Sequence, residues 1–180
     1  FCMAQREIGL SGGEPPATRG YPPSVWSALP RLLERAGTTP GSGSVTGIYT
    51  VLVEGDDMEE PVADAARSLL DGHILLTRTL AERGAFPAID PLSSISRVMP
   101  DVVDAEHLKL ATTARAHLSL LAESEDLIRI GAYAPGTDPA LDAAVRLAPG
   151  IRAFLLQSRN DRAPLQATTD GLRALLEGSE

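Results

Sequence analysis

Residues 86 to 107 divide the chain into two kinds of pattern, and this division limits the possible folds more than any other feature. Upstream, β-branched and apolar runs alternate with stretches of helical periodicity. From Asp101 onward only helical spacing recurs. Val45 to Val53 is apolar and β-branched without clean alternation, the pattern of a strand buried on both faces of a parallel sheet. Val62, Ala65, Ala66, Leu69 and Leu70 then recur at offsets that place them on one helix face, with Pro61 at the first turn and Gly72 as the expected C-cap. His73 to Arg78 is a second short strand. Strand, helix and strand at this spacing form a β-α-β unit and imply a parallel sheet. The fold expected is therefore α/β over residues 1–100 and all-α over residues 101–180.

The flanking segments fit this division. Residues 1 to 11 read as the tail of a helix, closed by Gly12-Gly13-Glu14-Pro15-Pro16. Ser24 is the expected N-cap of a helix running to about Ala36, with Val25, Leu29, Leu32 and Leu33 on one side and Pro30 as a kink or break. The loop from Thr38 to Ser44 lacks a following Lys-Ser/Thr pair and leads into a strand, so it does not match a phosphate-cradling loop. Downstream, Leu110, Ala114, His117, Leu118 and Leu121 mark one helix. Asp138 and Pro139 open another that carries Leu141, Ala144, Val145 and Ala148. Pro149 is expected to break it, and Leu165 to Leu176 closes the chain as a last helix after a polar linker.

Composition excludes several classes. A net charge of −8 argues against nucleic acid as the main partner. The only cysteine, Cys2, rules out a disulfide framework or a zinc cluster, and a reducing compartment fits. There is no apolar run long enough to span a membrane. The start is not a signal peptide and falls within a helical pattern without an initiator Met, so the chain is expected to be a fragment. The acidic run Glu54-Gly55-Asp56-Asp57-Met58-Glu59-Glu60 lacks calcium-loop spacing and reads as a solvated loop leading into a helix N-terminus. His73, His107 and His117 each stand without the partners a metal or catalytic site needs. No Walker A motif and no Ser-His-Asp or Cys-His set can be assembled. One charge stands out: Arg97, in Ser94-Ile95-Ser96-Arg97. Its fork of donors suits phosphate oxygens, whereas the plainer fate of such a residue is an ion pair with a nearby aspartate.

Several runs together resemble one family: Gly13-Glu-Pro-Pro-Ala-Thr-Arg-Gly-Tyr-Pro-Pro-Ser-Val25, Tyr49-Thr-Val-Leu-Val-Glu-Gly-Asp-Asp57, Leu70-Asp-Gly-His-Ile74, Pro87-Ala-Ile-Asp90, Ser94-Ile-Ser-Arg-Val-Met99 and Ile130-Gly-Ala-Tyr133. The chain resembles the flagellum-specific ATPases of the type III protein export apparatus, with the injectisome secretion ATPases as close cousins and the rotary ATP synthase subunits as more distant relatives. The likeness weakens after about residue 157. Gly20-Tyr-Pro-Pro-Ser-Val25 leans toward the flagellar branch.

The resemblance implies the C-terminal part of a RecA-like P-loop NTPase domain followed by a helical domain, in a homo-hexameric ring with ATP and Mg2+ at subunit interfaces. The P-loop, catalytic glutamate and Walker B aspartate would lie before Phe1. Arg97 matches the arginine finger that reaches the neighbour's γ-phosphate. Phe86 matches the aromatic placed against adenine, with plain core packing as its other reading. Tyr133 falls in the loop that would close over the base, although a turn tyrosine is equally consistent. Arg19 and the Asp56-Asp57 pair receive no role. Partners implied are a central stalk protein, a negative regulator, the export gate and substrate-chaperone complexes. The location implied is cytoplasmic, with peripheral membrane association only. The rival reading is a non-catalytic, P-loop-less interaction or regulatory module.

Overall fold

The structure, a computed structural model, describes residues 1–38, 40–41 and 43–178. It divides into two compact units, Phe1–Asp71 and Gly72–Glu180.

In the first unit, α1 (Cys2–Ser11) packs against α2 (Pro23–Leu33) at a close crossing. Gly9 makes the approach possible: a Cβ there would lie 2.7 Å from the Pro22 ring and 2.8 Å from the Ser24 hydroxyl. Val25, Leu29 and Pro22 are buried at this contact. The cap of α2 differs from the expectation. Pro22 is the N-cap and Pro23 opens the helix, so no side-chain oxygen is available at the cap. The Glu14 carboxylate accepts the Ser24 N–H instead, at 3.0 Å. Pro30 lies within an unbroken α2, which ends at Leu33 rather than near Ala36.

Beyond α2, β1 (Gly37–Thr38) pairs antiparallel with β2 (Ser44–Val45). The loop expected between them includes Thr39 and Ser42, which lie outside the described residues. The long buried strand expected over 45–53 is not formed: only its first residue is in a ladder, and Ile48 and Leu52 are more than 90% exposed. A strand exists only through its hydrogen-bonded neighbours, and no described residue supplies one to 46–53.

Helix α3 (Pro61–Leu69) is capped by Glu60, whose carboxylate accepts the Val62 and Ala63 N–H groups at 2.9 and 3.1 Å. The acidic run thus ends as a helix start, as expected. The buried face is Ala63 and Ala66, with Leu69 half exposed, so the apolar stripe is rotated from the one predicted.

In the second unit, β3 (Gly72–His73) pairs antiparallel with β4 (Ile95–Ser96), and Leu76 bridges Ile89 in the same sense. Between them lies α4 (Arg78–Glu82), capped by Thr77. Every strand pair among the described residues is antiparallel, so the parallel β-α-β unit expected from 45–53 and 73–78 is not present among them. Apolar, β-branched composition marks a segment that can pair, but it does not name the partner. His73 ends β3, its Nε2 lying 2.9 Å from the Ser93 carbonyl oxygen. Gly72 is not the C-cap of α3. It sits in the ladder, where a Cβ would come within 2.4 Å of the Ile95 carbonyl oxygen.

The rest of the second unit is helical. α5 (Met99–Val102) leads to α6 (Ala105–Glu123), whose N-cap Asp104 accepts the His107 N–H at 2.7 Å. α7 (Glu125–Arg129), α8 (Pro139–Leu155) and α9 (Leu165–Glu177) follow. Asp138 caps α8 as predicted, through the Ala140 and Leu141 amides. Pro149 does not break the helix, and residues on both sides of it, Leu141, Ala144, Leu147, Ala148 and Ile151, are buried. Packing on both flanks outweighs the ladder bond that proline removes. Leu110, Ala114 and Leu172 form the core of the α6–α9 contact, with Phe154 and Leu176 against it.

Candidate functional site

The segment from Phe86 to Arg97 carries two of the three predicted site residues, and an aspartate builds its centre. Asp90 Oδ1 accepts the Leu92 N–H at 2.9 Å, and Oδ2 accepts the Ser93 hydroxyl at 2.6 Å. The Ser94 hydroxyl donates to the Asp90 carbonyl at 2.6 Å and accepts the Leu75 N–H at 3.0 Å. Asp-Pro followed by paired serines is a turn signature, because short polar side chains bond the backbone two or three residues on. Burial on its own would raise the Asp90 pKa. The Ser93 hydroxyl, the Leu92 and Ser93 amides and the Arg115 charge outweigh it, and the carboxyl is held below its ordinary value.

A second anchor comes from α6. The Arg115 guanidinium donates to the carbonyls of Pro91, Leu92 and Ser94, the last two at 3.2 and 3.0 Å. Sequence reasoning missed this residue. An arginine between alanines on a polar helix face carries no local sign of a distant partner.

Arg97 follows β4 directly and precedes α5, and it is exposed. Phe86 is 57% exposed. The Phe86 carbonyl accepts the Gln157 N–H at 2.9 Å. Tyr133 lies in the loop between α7 and α8, where its hydroxyl donates to the Asp142 carboxylate. That bond is the main cause of its raised pKa, ahead of burial and the Asp142 charge. Asp142 also accepts the Gly136 N–H at 2.9 Å, so the loop is tied to α8.

In the first unit, Arg19 and Asp57 form an exposed ion pair at 2.7 Å joining two loops. Both loops carry a non-glycine residue in the left-handed region, Arg19 at φ 45° and Asp56 at φ 60°. The hydrogen bond from Arg19 is the chief cause of the lowered Asp57 pKa. Among the described residues no group of three or more His, Cys, Asp or Glu side chains converges as a metal site. No described helix is long and apolar enough to cross a membrane.

Comparison with known proteins gives this geometry a context. The family model for the ATP synthase alpha/beta nucleotide-binding domain matches residues 1–96. That for the T3SS EscN ATPase C-terminal domain matches residues 103–174. The flagellum-specific ATP synthase of Pseudomonas aeruginosa is 52% identical over 100% of this chain and 40% of its own length. The type 3 secretion system ATPase of Pseudomonas syringae pv. tomato is 51% identical over 96% of this chain and 38% of its own. The assembled ATPase EscN from the enteropathogenic E. coli type III secretion system superposes with a TM-score of 0.94 at 46% identity, over 98% of this chain and 42% of that one. EscN in complex with its central stalk EscO gives a TM-score of 0.88 at 45% identity, over 98% and 42%. The chain thus spans about two fifths of the length of the relatives it matches. With one family model covering more than half of the residues and the second most of the remainder, the chain belongs to the ATP synthase alpha/beta family, among the flagellum-specific and type III secretion ATPases.

Proposed function

We propose that the protein carrying this chain hydrolyses ATP as a homo-hexameric ring and thereby drives type III export, and that this chain supplies the part of each site that acts on a neighbour. The supporting observation is the 52% identity to a flagellum-specific ATP synthase along the whole chain. The secretion relative is 51% identical, so the reaction proposed is the one common to both branches; the flagellar assignment is tested by motility of a strain lacking the protein.

In this reading residues 1–100 belong to the RecA-like domain and residues 101–180 form the helical domain. Segments 45–53 and 73–78 join a parallel sheet whose other strands lie outside this chain. The exposed Ile48 and Leu52 support that placement, because an apolar extended segment left in water is costly. Magnesium and the phosphate-cradling loop likewise belong to residues outside this chain. Arg97 brings a permanent positive charge and a planar set of donors to the γ-phosphate bound by the adjacent subunit, where charge on the phosphoryl oxygens grows toward the transition state. The exposed Phe86 ring offers a face for adenine. Tyr133, held by Asp142, closes the loop over the base. The proposed partners are a central stalk, as in the EscN–EscO complex, a negative regulator, the export gate and substrate-chaperone complexes, at the cytoplasmic face of the export apparatus.

Arg97→Ala in the full-length protein tests the assignment. The expected loss in turnover is roughly a thousandfold or more, with nucleotide binding retained. Turnover equal to that of the parent would overturn it.

A further inference from the structure

We infer that Arg115 is a positioning residue: by gripping the carbonyls of Pro91, Leu92 and Ser94 it fixes the path of the segment that presents Arg97. This inference rests on the reading of Arg97 as the group that reaches a neighbour's phosphate.

The geometry is that of a clamp. Acceptors from one short turn converge on one guanidinium, and the last of them, Ser94, is three residues from Arg97. Chain of that length in extended form spans about 10 Å, so a shift at Ser94 is carried directly to the arginine. The clamp acts together with anchors on the other side of the turn. Ser94 Oγ accepts the Leu75 N–H, Asp90 Oδ1 accepts the Leu92 N–H, and His73 lies against the Ser93 carbonyl. The segment is thus held by β3 and its continuation on one side and by α6 on the other.

The contact is specific to a guanidinium. An ammonium is a point charge that cannot span acceptors spread over this turn, whereas the planar fork can. Arg115 stands beside an open depression of about 370 Å³, lined also by Leu92, Thr112, Ala116 and Ser119. Its grip is therefore by hydrogen bonds and not by close packing. Arg115 is exposed and Pro91, Leu92 and Ser94 are half-buried, so water can reach the carbonyls and replace the donors if the guanidinium is removed. Removing it should therefore leave the fold intact and loosen the turn. A displacement of about 1 Å in a catalytic group can cost on the order of a hundredfold in rate.

The test compares Arg115→Ala, Arg115→Lys, Arg97→Ala and the Arg97→Ala/Arg115→Ala double variant in the full-length protein, with circular dichroism confirming that each is folded. The expected result is that R115A lowers kcat by about 10- to 100-fold while the KM for ATP moves less than about threefold, and that R115K recovers only part of the loss. The residual rate of the double variant should equal that of R97A, because a residue acting through Arg97 has nothing left to position. The inference is overturned if R97A abolishes turnover and R115A does not reduce it. It is also overturned if the double variant falls below R97A by the full factor lost in R115A alone. Parental turnover in R97A itself overturns the underlying reading of Arg97, a distinct outcome. If R115A fails to fold, R115K decides: unchanged kcat in R115K refutes the need for the fork.

Discussion

Replacing Gly72 by alanine tests the β3–β4 pairing that carries the candidate site. The added Cβ would lie 2.4 Å from the Ile95 carbonyl oxygen and 3.1 Å from the Ser96 Cα. Ordinary contact begins near 3.4 Å, so the strands must separate by about 1 Å, and the obstacle is backbone that cannot rotate away. Overpacking of this kind costs roughly 1–3 kcal/mol. Each ladder hydrogen bond stretched out of range adds about 1 kcal/mol net. A local destabilisation of about 2–4 kcal/mol lowers amide protection roughly 30- to 800-fold, at about 1.4 kcal/mol per factor of ten. Native-state hydrogen exchange on those β3 and β4 amides that face the partner strand reads this directly in the full-length protein, without requiring global unfolding. Gly84→Ala is the control. Gly84 has φ +72° and no atom within 4 Å of a built Cβ, so it carries conformational strain but no collision. If Gly72→Ala changes protection at the ladder-facing β3 and β4 amides by less than threefold, the strands do not approach as described and the reasoning fails.

The Asp90 carboxyl should titrate below its ordinary value of about 3.9, as carbon-detected NMR can measure. Since its folded pKa is depressed, the stabilisation is present above about pH 4 and disappears as pH falls through the folded value, so the turn should loosen on acidification while Asp90→Asn removes that dependence. A midpoint at or above 4 would contradict the hydrogen-bond network. Ile151→Ala, at a side chain only 1% exposed, should cost about 2–5 kcal/mol in urea denaturation followed by circular dichroism, with a loss under 1 kcal/mol arguing against a close-packed α8.

What the sequence shows well is chemistry confined to a few residues. Asp138-Pro139 at a helix start and Glu60-Pro61 at another both appear where side-chain preference places them. Strand pairing is different in kind. Val45 to Val53 has the composition of a buried strand, but a ladder needs a second chain segment, and the described residues offer none beyond β1. The same limit hid Arg115, whose partners lie more than twenty residues away. Prolines misled in the opposite direction. Pro30 and Pro149 break isolated helices, yet α2 and α8 continue through them because buried residues hold the flanking turns.

Between Gly72 and Val98 no side chain is buried, although this segment carries Arg97. Packing therefore cannot define its path, and hydrogen bonds to Asp90, Ser94, His73 and Arg115 do so instead. Hydrogen bonds at exposed and half-buried positions contribute modestly to global stability because water competes for the groups, but they restrict direction strongly. A segment built this way is specified in shape while remaining near the low end of the local stability scale. Mild urea should therefore release protection at residues 90–97 before it releases the α6–α8–α9 contact around Leu110, Ala114 and Leu172. Loss of both at one urea concentration would mean that the segment is held by the helical core and not by its own polar anchors.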